Sequence, residues 1–219
     1  MEEKTFMEKL NQIRAPKQPA KKKSVRNTCF VFAAGILLGV FSKWLDNLAL
    51  DSTIWWHGII ERIDLGNFFS DLAVWLLAAL VIAVFSTSAL RAALHVFVFF
   101  AGSCAAYHLY TIAFSGFNPA SYMLLWYGVT LLSPFLAVLC WYAKGSGALS
   151  VVLGAGIFAV FSLSCFSIGL FYISFRGILY LMVFVGAAAV LYHSPKQLLI
   201  ALPAGVLLAF LLSPFWPYH

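Results

Sequence analysis

The sequence predicts an all-α fold: a polytopic bundle of about seven transmembrane helices with a short outer interfacial helix. Composition is the first reason, since hydrophobic residue types make up 63% of the 219 residues and charged types only 10%. A soluble domain is roughly 45–50% apolar and about 25% charged, so a soluble globular enzyme is excluded. The second reason is that apolar runs near the length of a membrane span recur along the chain, separated by brief polar turns.

The N-terminal segment differs sharply in charge from the rest of the chain. Residues 1–26 carry eight basic and three acidic side chains, and we expect a basic cytoplasmic tail there, followed by one transmembrane domain over residues 27–219. Phe6, Leu10 and Ile13 recur at helical spacing and predict a short amphipathic helix on the inner leaflet. Beside a membrane span, such a tail is expected to contact lipid headgroups and not nucleic acid.

Seven apolar runs account for the predicted membrane spans. The last two runs are short, and if they form a re-entrant hairpin the count falls to six and the C-terminus lies inside. The runs cover residues 28–45, 68–87, 91–113, 119–143, 148–174, 177–193 and 198–215.

The charges in the turns predict the orientation. With the tail inside, the inner turns hold Arg91, Lys144 and Lys196, whereas all acidic residues after the tail fall within residues 46–71. This distribution obeys the positive-inside rule. We therefore expect a cell-membrane protein with a cytoplasmic N-terminus and an external C-terminus.

The outer loop, residues 46–67, is the longest. Asp51 and Thr53 are suited to cap a helix over residues 54–64. Its apolar positions, which include Trp55 and Trp56, oppose its polar positions, which is typical of a helix lying in the headgroup zone.

The polar positions of that helix allow two interpretations. His57, Glu61 and Asp64 are spaced i, i+4 and i+7, so they share one face of a continuous helix. One histidine and two carboxylates could bind a divalent metal in an intramembrane enzyme. The same spacing is also that of a solvated polar face, and no HExxH motif accompanies it.

An outward-facing pocket for a small apolar or amphipathic ligand is the leading functional hypothesis. Asp71 and Arg176 fall at similar depth near the outer surface, where they either form an ion pair that fixes helix ends or line the floor of the pocket. The aromatic candidates either line the same pocket or belong to the interfacial belt. The candidate ligand-binding residues are Asp71, Arg176, Trp55, Trp56, Tyr107, His108 and Trp126.

Small residues on the first span mark a helix-packing surface. Gly35 and Gly39 form a G-x-x-x-G motif, which either packs against a helix of the same chain or receives a membrane protein partner. A structural or assembly subunit is therefore the second functional hypothesis. The chain has no Walker loop, no Gly-x-Ser-x-Gly elbow and no CxxC motif, so we expect no cofactor and no ATPase activity of its own.

Two resemblances add to these predictions. The segment from Gly35 to Asp46, and Ser133-Pro134 with Cys140-Trp-Tyr-Ala-Lys144-Gly, resemble stretches of uncharacterised bacterial multi-pass membrane proteins, which implies a bacterial source but no activity. Gly35, Gly39 and the loop 46–67 are also similar in arrangement to the substrate-binding subunits of energy-coupling-factor vitamin importers. That likeness implies a ligand bound near the outer surface, although those subunits have six spans.

Overall fold

Helices dominate the computed structural model, which describes residues 6–17, 21–51, 53–169 and 172–216. A π-helical turn, Thr111–Ser115, extends the helix that ends at Tyr110, and a 3₁₀ turn, Ser213–Phe215, follows the helix that ends at Leu212. The helices are α1 (Phe6–Ile13), α2 (Lys21–Asp46), α3 (Trp55–Arg62), α4 (Leu65–Ser70), α5 (Leu72–Phe85), α6 (Ala89–Tyr110), α7 (Ala120–Ala143), α8 (Ala148–Cys165), α9 (Ile178–Leu191) and α10 (Pro195–Leu212), and the strands are β1 (Phe166–Ile168) and β2 (Ile173–Phe175).

Within these described ranges, five helices are long and apolar enough to cross a membrane, which indicates an integral membrane protein. They are Ser24–Asp46, Ala89–Ser115, Ala120–Ala143, Ala148–Cys165 and Pro195–Phe215. The helices α5 and α9 are apolar but have only 14 residues each. At 1.5 Å per residue each is about 21 Å long, less than the roughly 30 Å hydrocarbon core.

The fifth predicted run, residues 148–174, is not one helix. The helix α8 ends at Cys165, and the chain continues as an antiparallel hairpin in which Phe166 pairs with Phe175. The turn is closed by a hydrogen bond from the Gly169 N–H to the Tyr172 carbonyl. The prediction was wrong at this point because an apolar run alone does not distinguish a helix from extended backbone.

The G-x-x-x-G motif of α2 packs against α6 of the same chain. A Cβ atom on Gly35 would lie 2.2 Å from the Phe99 carbonyl oxygen, and one on Gly39 would lie 2.4 Å from the Ser103 carbonyl oxygen. The two backbones therefore touch, as small residues permit in membranes. Of the two alternatives for Gly35 and Gly39, packing within the chain is the one that the structure shows, because α6 occupies this surface.

We name the two ends of the bundle by the charged residues that they hold: Asp46 and Asp71 lie at the acidic end, and Arg14 and Lys144 lie at the basic end. At the acidic end, the Ser70 hydroxyl donates to Asp46 at 3.0 Å, which joins α4 to the end of α2. At the opposite, basic end, His95 of α6 contacts Thr28 at 3.1 Å and Ser86 at 3.0 Å. The pair α4–α5 therefore runs between the same two levels as α2.

The helix α9 also extends from the acidic end of the bundle to the basic end. The Tyr180 hydroxyl donates to Asp71 at the acidic end, at 3.1 Å. At the basic end, Lys144 donates to the backbone carbonyls of Val190, at 2.6 Å, and Tyr192. Burial lowers the pKa of Lys144, and the neighbouring Arg14 charge acts in the same direction.

The N-terminal segment is fastened to the basic end. The Arg14 guanidinium donates to the carbonyls of Val84 and Trp141, both at 2.7 Å, and lies 4.5 Å from the centre of the Trp141 ring. The Ile13 carbonyl accepts a hydrogen bond from Ser146. The predicted amphipathic helix is present as α1, whereas Lys4 of the basic tail lies outside the described residues.

Candidate functional site

Asp71 and Arg176, which the sequence places at similar depth, form an ion pair. Asp71 precedes α5 and accepts from the Leu72 N–H at 2.6 Å, and its Oδ2 lies 2.5 Å from Arg176 Nη2. Arg176 follows β2, and its Nη1 donates to the Ser164 carbonyl at the end of α8. Their side chains are 17% and 31% exposed, so the pair links the ends of α5, α8 and α9 close to the surface.

The helix α3 is rotated relative to the prediction. Trp55 is 79% exposed, whereas His57, predicted on the solvated face, is only 5% exposed. Trp56 stacks on Trp44 of α2, and His57 Nδ1 accepts the Asp51 N–H at 2.8 Å. His57 is therefore turned toward the protein and Trp55 away from it, whereas Glu61 stays exposed.

The predicted metal triad is not assembled. The helix α3 ends at Arg62, and Asp64 has a left-handed backbone conformation with φ 53°, so it leaves the face on which His57 and Glu61 were expected to join it. One ring nitrogen of His57 is already occupied by the Asp51 N–H. No cluster of three or more His, Cys, Asp or Glu that could hold a metal ion occurs in the described part of the chain.

Asp51 does not cap α3. Its Oδ1 accepts from the Thr53 N–H at 2.9 Å and from the Thr53 hydroxyl at 2.7 Å. These hydrogen bonds, the backbone one first, lower the pKa of Asp51 below its ordinary value. Ile54 occupies the N-cap position without a side-chain bond, so the Asp51 turn precedes α3 and does not begin it.

A charge cluster with one buried member, Lys43, lies at the end of α2. Lys43 is 7% exposed, and its ammonium is 3.8 Å from Asp46 Oδ2. The Tyr107 hydroxyl donates to the same oxygen at 2.7 Å, and the Lys43 ammonium lies 5.2 Å from the centre of the Tyr107 ring. The i, i+3 spacing of Lys43 and Asp46 is a sequence signal for this pair, but the contact with Tyr107 depends on the packing of α2 against α6.

Tyr107 and Trp126 share an aromatic cavity below this cluster. The cavity has a volume of about 30 Å³, and its wall includes Trp75 and Tyr122. A cavity of that size holds about one or two water molecules. Tyr107 and Trp126 are therefore brought together as predicted, but the space between them is too small for an organic ligand.

The other candidate residues lie apart from that cavity. His108 contacts the Tyr127 hydroxyl through Nδ1 and the Asn118 Oδ1 through Nε2, the latter at 2.9 Å. Arg176 borders a separate cleft with Tyr172, and neither Asp71 nor Arg176 reaches the aromatic cavity. The seven candidates thus belong to several locations at the acidic end and do not surround one ligand.

A larger pocket lies at the acidic end under the loop that follows α2. We call it the acid pocket; its volume is about 380 Å³. The helix α3 contributes Ile60 and Glu61 to its wall, and neither Trp55 nor Trp56 lines it. Its wall consists of Leu45, Asp46, Leu48, Leu50, Ile60, Glu61, Asp64, Gly66, Asn67 and Ser70.

Among the described residues, three carboxylates and no basic side chain line the acid pocket. Asp46 is held by Lys43, Tyr107 and Ser70, and the Asn67 amide donates to Asp64 at 2.9 Å. The carboxylate of Glu61 has neither a hydrogen bond nor an ion pair with any residue in the described ranges. The pocket is therefore negatively charged, with aliphatic side chains beside the carboxylates.

Comparison with models of known protein families, with curated proteins and with solved structures finds no match to this chain.

Proposed function

We propose that the protein binds a small, cationic and partly apolar molecule in the acid pocket. The observation that carries this proposal is the composition of the pocket wall: three carboxylates next to four aliphatic side chains. A protonated amine with a short hydrocarbon part is complementary to both. The volume of about 380 Å³ lies within the range typical of small-molecule sites.

The charge balance supports a cation as ligand. Lys43 offsets one of the three carboxylates by its ion pair with Asp46. Glu61 and Asp64 remain without a basic partner in the described residues, so a bound cation would face two uncompensated charges. A cation near the exposed Glu61 gains a modest, salt-dependent stabilisation, because solvent screens the interaction.

The chain is proposed to cross the membrane seven times. The pair α4–α5 contacts Asp46 at the acidic end and His95 at the basic end. The helix α9 likewise extends from its contact with Asp71 at the acidic end to its contact with Lys144 at the basic end. Because both short helices bridge the same two levels as the long ones, each supports a crossing despite its 14 residues. Trp216, after α10, borders the same cleft as Arg176, which supports a C-terminus at the acidic end.

The positive-inside rule then orients the bundle in a cell membrane. The basic end, with Arg14, Arg91 and Lys144, faces the cytoplasm, and the acid pocket faces outward. The N-terminal tail is proposed as a cytoplasmic segment that precedes one transmembrane domain.

Binding, and not autonomous transport, is the proposed activity. The small aromatic cavity lies beneath the cluster of Lys43, Asp46 and Tyr107, and its size does not offer a passage toward the basic end. The sequence contains no Walker loop that could couple ATP hydrolysis to movement. Transport of the ligand would therefore require an energy-supplying partner protein.

The proposal is tested with two probes of matched length and opposite charge. Protein purified in the uncharged detergent dodecyl maltoside is heated with hexyltrimethylammonium or with hexanoate, and unfolding is followed by tryptophan fluorescence. A ligand that binds the folded state raises the unfolding temperature. We expect a rise with the ammonium probe only, and this rise should diminish as salt is added.

The variants Glu61→Gln and Asp64→Asn locate the site. Asparagine tolerates the left-handed backbone conformation of Asp64, so this change removes charge with little strain. The double variant should bind hexyltrimethylammonium about tenfold more weakly, since each exposed charge contributes up to about 1 kcal/mol. Asp51→Asn, in the same loop but outside the pocket, is the matched control and should bind like the parent.

Two results would contradict the proposal. One is equal stabilisation by hexanoate and hexyltrimethylammonium, which would show that charge does not determine binding. The other is an unchanged affinity for the ammonium probe in the double variant, which would place the binding elsewhere.

A further inference from the structure

A second cleft lies at the basic end, between α2, α5 and α6. It has a volume of about 320 Å³ and one polar and one apolar half. We call it the basic-end cleft. It is unrelated to the acid pocket, which lies at the opposite end of the bundle.

Among its described lining residues, the polar half offers the positive charge of Arg91 and several hydrogen-bonding groups. Arg91 lines the cleft, and its guanidinium forms no ion pair within the described part of the chain. Ser24 and Asn27 of α2 lie on the same wall, and none of the described residues that line the cleft is Asp or Glu. Both ring nitrogens of His95, which also reaches the cleft, are occupied by Ser86 and Thr28.

Thr87 provides an independent sign of an unfilled polar site. Its side-chain oxygen is buried, yet it has no hydrogen-bond partner among the residues that the structure describes. A buried polar atom without a partner is costly, and most such atoms are satisfied by protein, water or ligand. Thr87 lines the cleft together with Arg91, so an acceptor bound to Arg91 lies within the same enclosure as this hydroxyl.

The apolar half of the cleft is exposed on the outer surface of the bundle. Phe30 is 74% exposed, Phe85 71% and Val81 37%, and all three line the cleft. Phe30 is six residues beyond Ser24 on α2, which places it about 9 Å deeper along the helix. The wall therefore changes from polar to apolar in the direction in which a membrane changes from headgroups to hydrocarbon.

We infer that the basic-end cleft binds an anionic phospholipid. Its phosphate is bound by Arg91 with Thr87 and the polar groups of α2, and an acyl chain lies over Phe30, Val81 and Phe85. The unpaired guanidinium supplies the charge complementarity, which a zwitterionic lipid satisfies less well. A free phosphate ion shares the headgroup chemistry but leaves the exposed aromatic side chains uncovered.

The experiment measures lipid binding to the delipidated, full-length protein by native mass spectrometry in dodecyl maltoside. Dioleoyl phosphatidylglycerol and dioleoyl phosphatidylcholine are added separately, so that only the headgroup differs. We expect the anionic lipid to bind about five- to tenfold more tightly, as one basic residue near an anionic headgroup contributes that factor. In the same assay, sn-glycerol 3-phosphate tests the headgroup without the chains and should not compete at equal concentration.

Variants assign the site to the cleft. Arg91→Gln should reduce the affinity for phosphatidylglycerol to that for phosphatidylcholine, whereas Arg91→Lys should retain most of it. Arg62→Gln, at the acidic end, is the matched control and should bind like the parent. Thr87→Val keeps the shape of the side chain and should weaken phosphatidylglycerol binding about threefold, which provides a reading even if Arg91→Gln does not fold.

Three results would overturn the inference. Equal binding of the two lipids would exclude charge recognition, and an unchanged affinity in both Arg91→Gln and Thr87→Val would exclude this cleft. Competition by sn-glycerol 3-phosphate at equal concentration would identify a site for free phosphate esters and not for a lipid.

Discussion

Alanine at Gly35 or Gly39 should separate α2 from α6 and destabilise the whole bundle. The added Cβ atoms would lie 2.2 Å from the Phe99 oxygen and 2.4 Å from the Ser103 oxygen. Ordinary contacts begin at 3.4 Å, so α2 must move by about 1 Å, and both neighbours are backbone atoms that cannot rotate away. Overpacking of this kind costs about 1–3 kcal/mol.

The measurement is reversible unfolding by sodium dodecyl sulfate in mixed micelles with dodecyl maltoside, followed by tryptophan fluorescence. Gly128→Ala, in the interior of α7, is the control because nothing lies within 4 Å of its added Cβ. Alanine there should stabilise the helix by roughly 0.5–1 kcal/mol. One displacement of α2 relieves both clashes, so the double variant Gly35→Ala with Gly39→Ala should lose less than the sum of the two single losses.

Unfolding of Gly35→Ala and Gly39→Ala at the same detergent fraction as Gly128→Ala would refute the close packing of α2 on α6. In that case the backbones of α2 and α6 are far enough apart to accept a methyl group, and the helix pair does not depend on glycine.

Three further predictions follow from contacts at the two ends. Arg176→Gln and Asp71→Asn should each lower the free energy of unfolding by about 1–2 kcal/mol in the same titration, and the double variant should lose less than the sum of the two single losses. A double-variant loss equal to that sum would show that the two side chains are not coupled. Arg14→Gln removes two hydrogen bonds to backbone carbonyls, so trypsin should cut the N-terminal segment about fivefold faster, and an unchanged rate would contradict the docking of this segment. In a chain without native cysteines, Thr53→Cys should react with an impermeant maleimide on intact cells and Ser146→Cys only after permeabilisation; the reverse pattern would invert the proposed orientation.

The sequence predicts the class of fold because hydrophobic length and local spacing are sufficient for it. The G-x-x-x-G motif correctly indicates a close helix contact, yet its partner could not be identified, because α6 begins fifty residues after Gly39. The same limit applies to Lys43 and Asp46: their spacing predicts the pair, whereas Tyr107 joins it only through the packing of α6.

The errors in α3 have a different physical origin. Alternating polar and apolar stripes predict an amphipathic helix in either environment, but they do not say which stripe contacts the protein. At a membrane surface an exposed apolar side costs nothing where lipid covers it, which is consistent with the 79% exposure of Trp55 and the burial of His57. The helix was also expected to continue to residue 64, and its end at Arg62 moves Asp64 into the acid pocket.

The separation of Asp46 from Asp71 changes what each acidic residue is expected to do. Asp71 is paired with Arg176 at 2.5 Å and accepts a hydrogen bond from Tyr180 as well, so its charge is already balanced within the protein. Asp46 is also paired, but it borders a pocket in which Glu61 and Asp64 have no basic partner in the described residues. Replacing Arg176 should therefore lower stability without altering the affinity for a cation. Replacing Glu61 and Asp64 should instead lower the affinity for a cation without altering stability. This contrast distinguishes a charge cluster that stabilises helix ends from one that is proposed to bind a ligand, although both lie at the same end of the bundle.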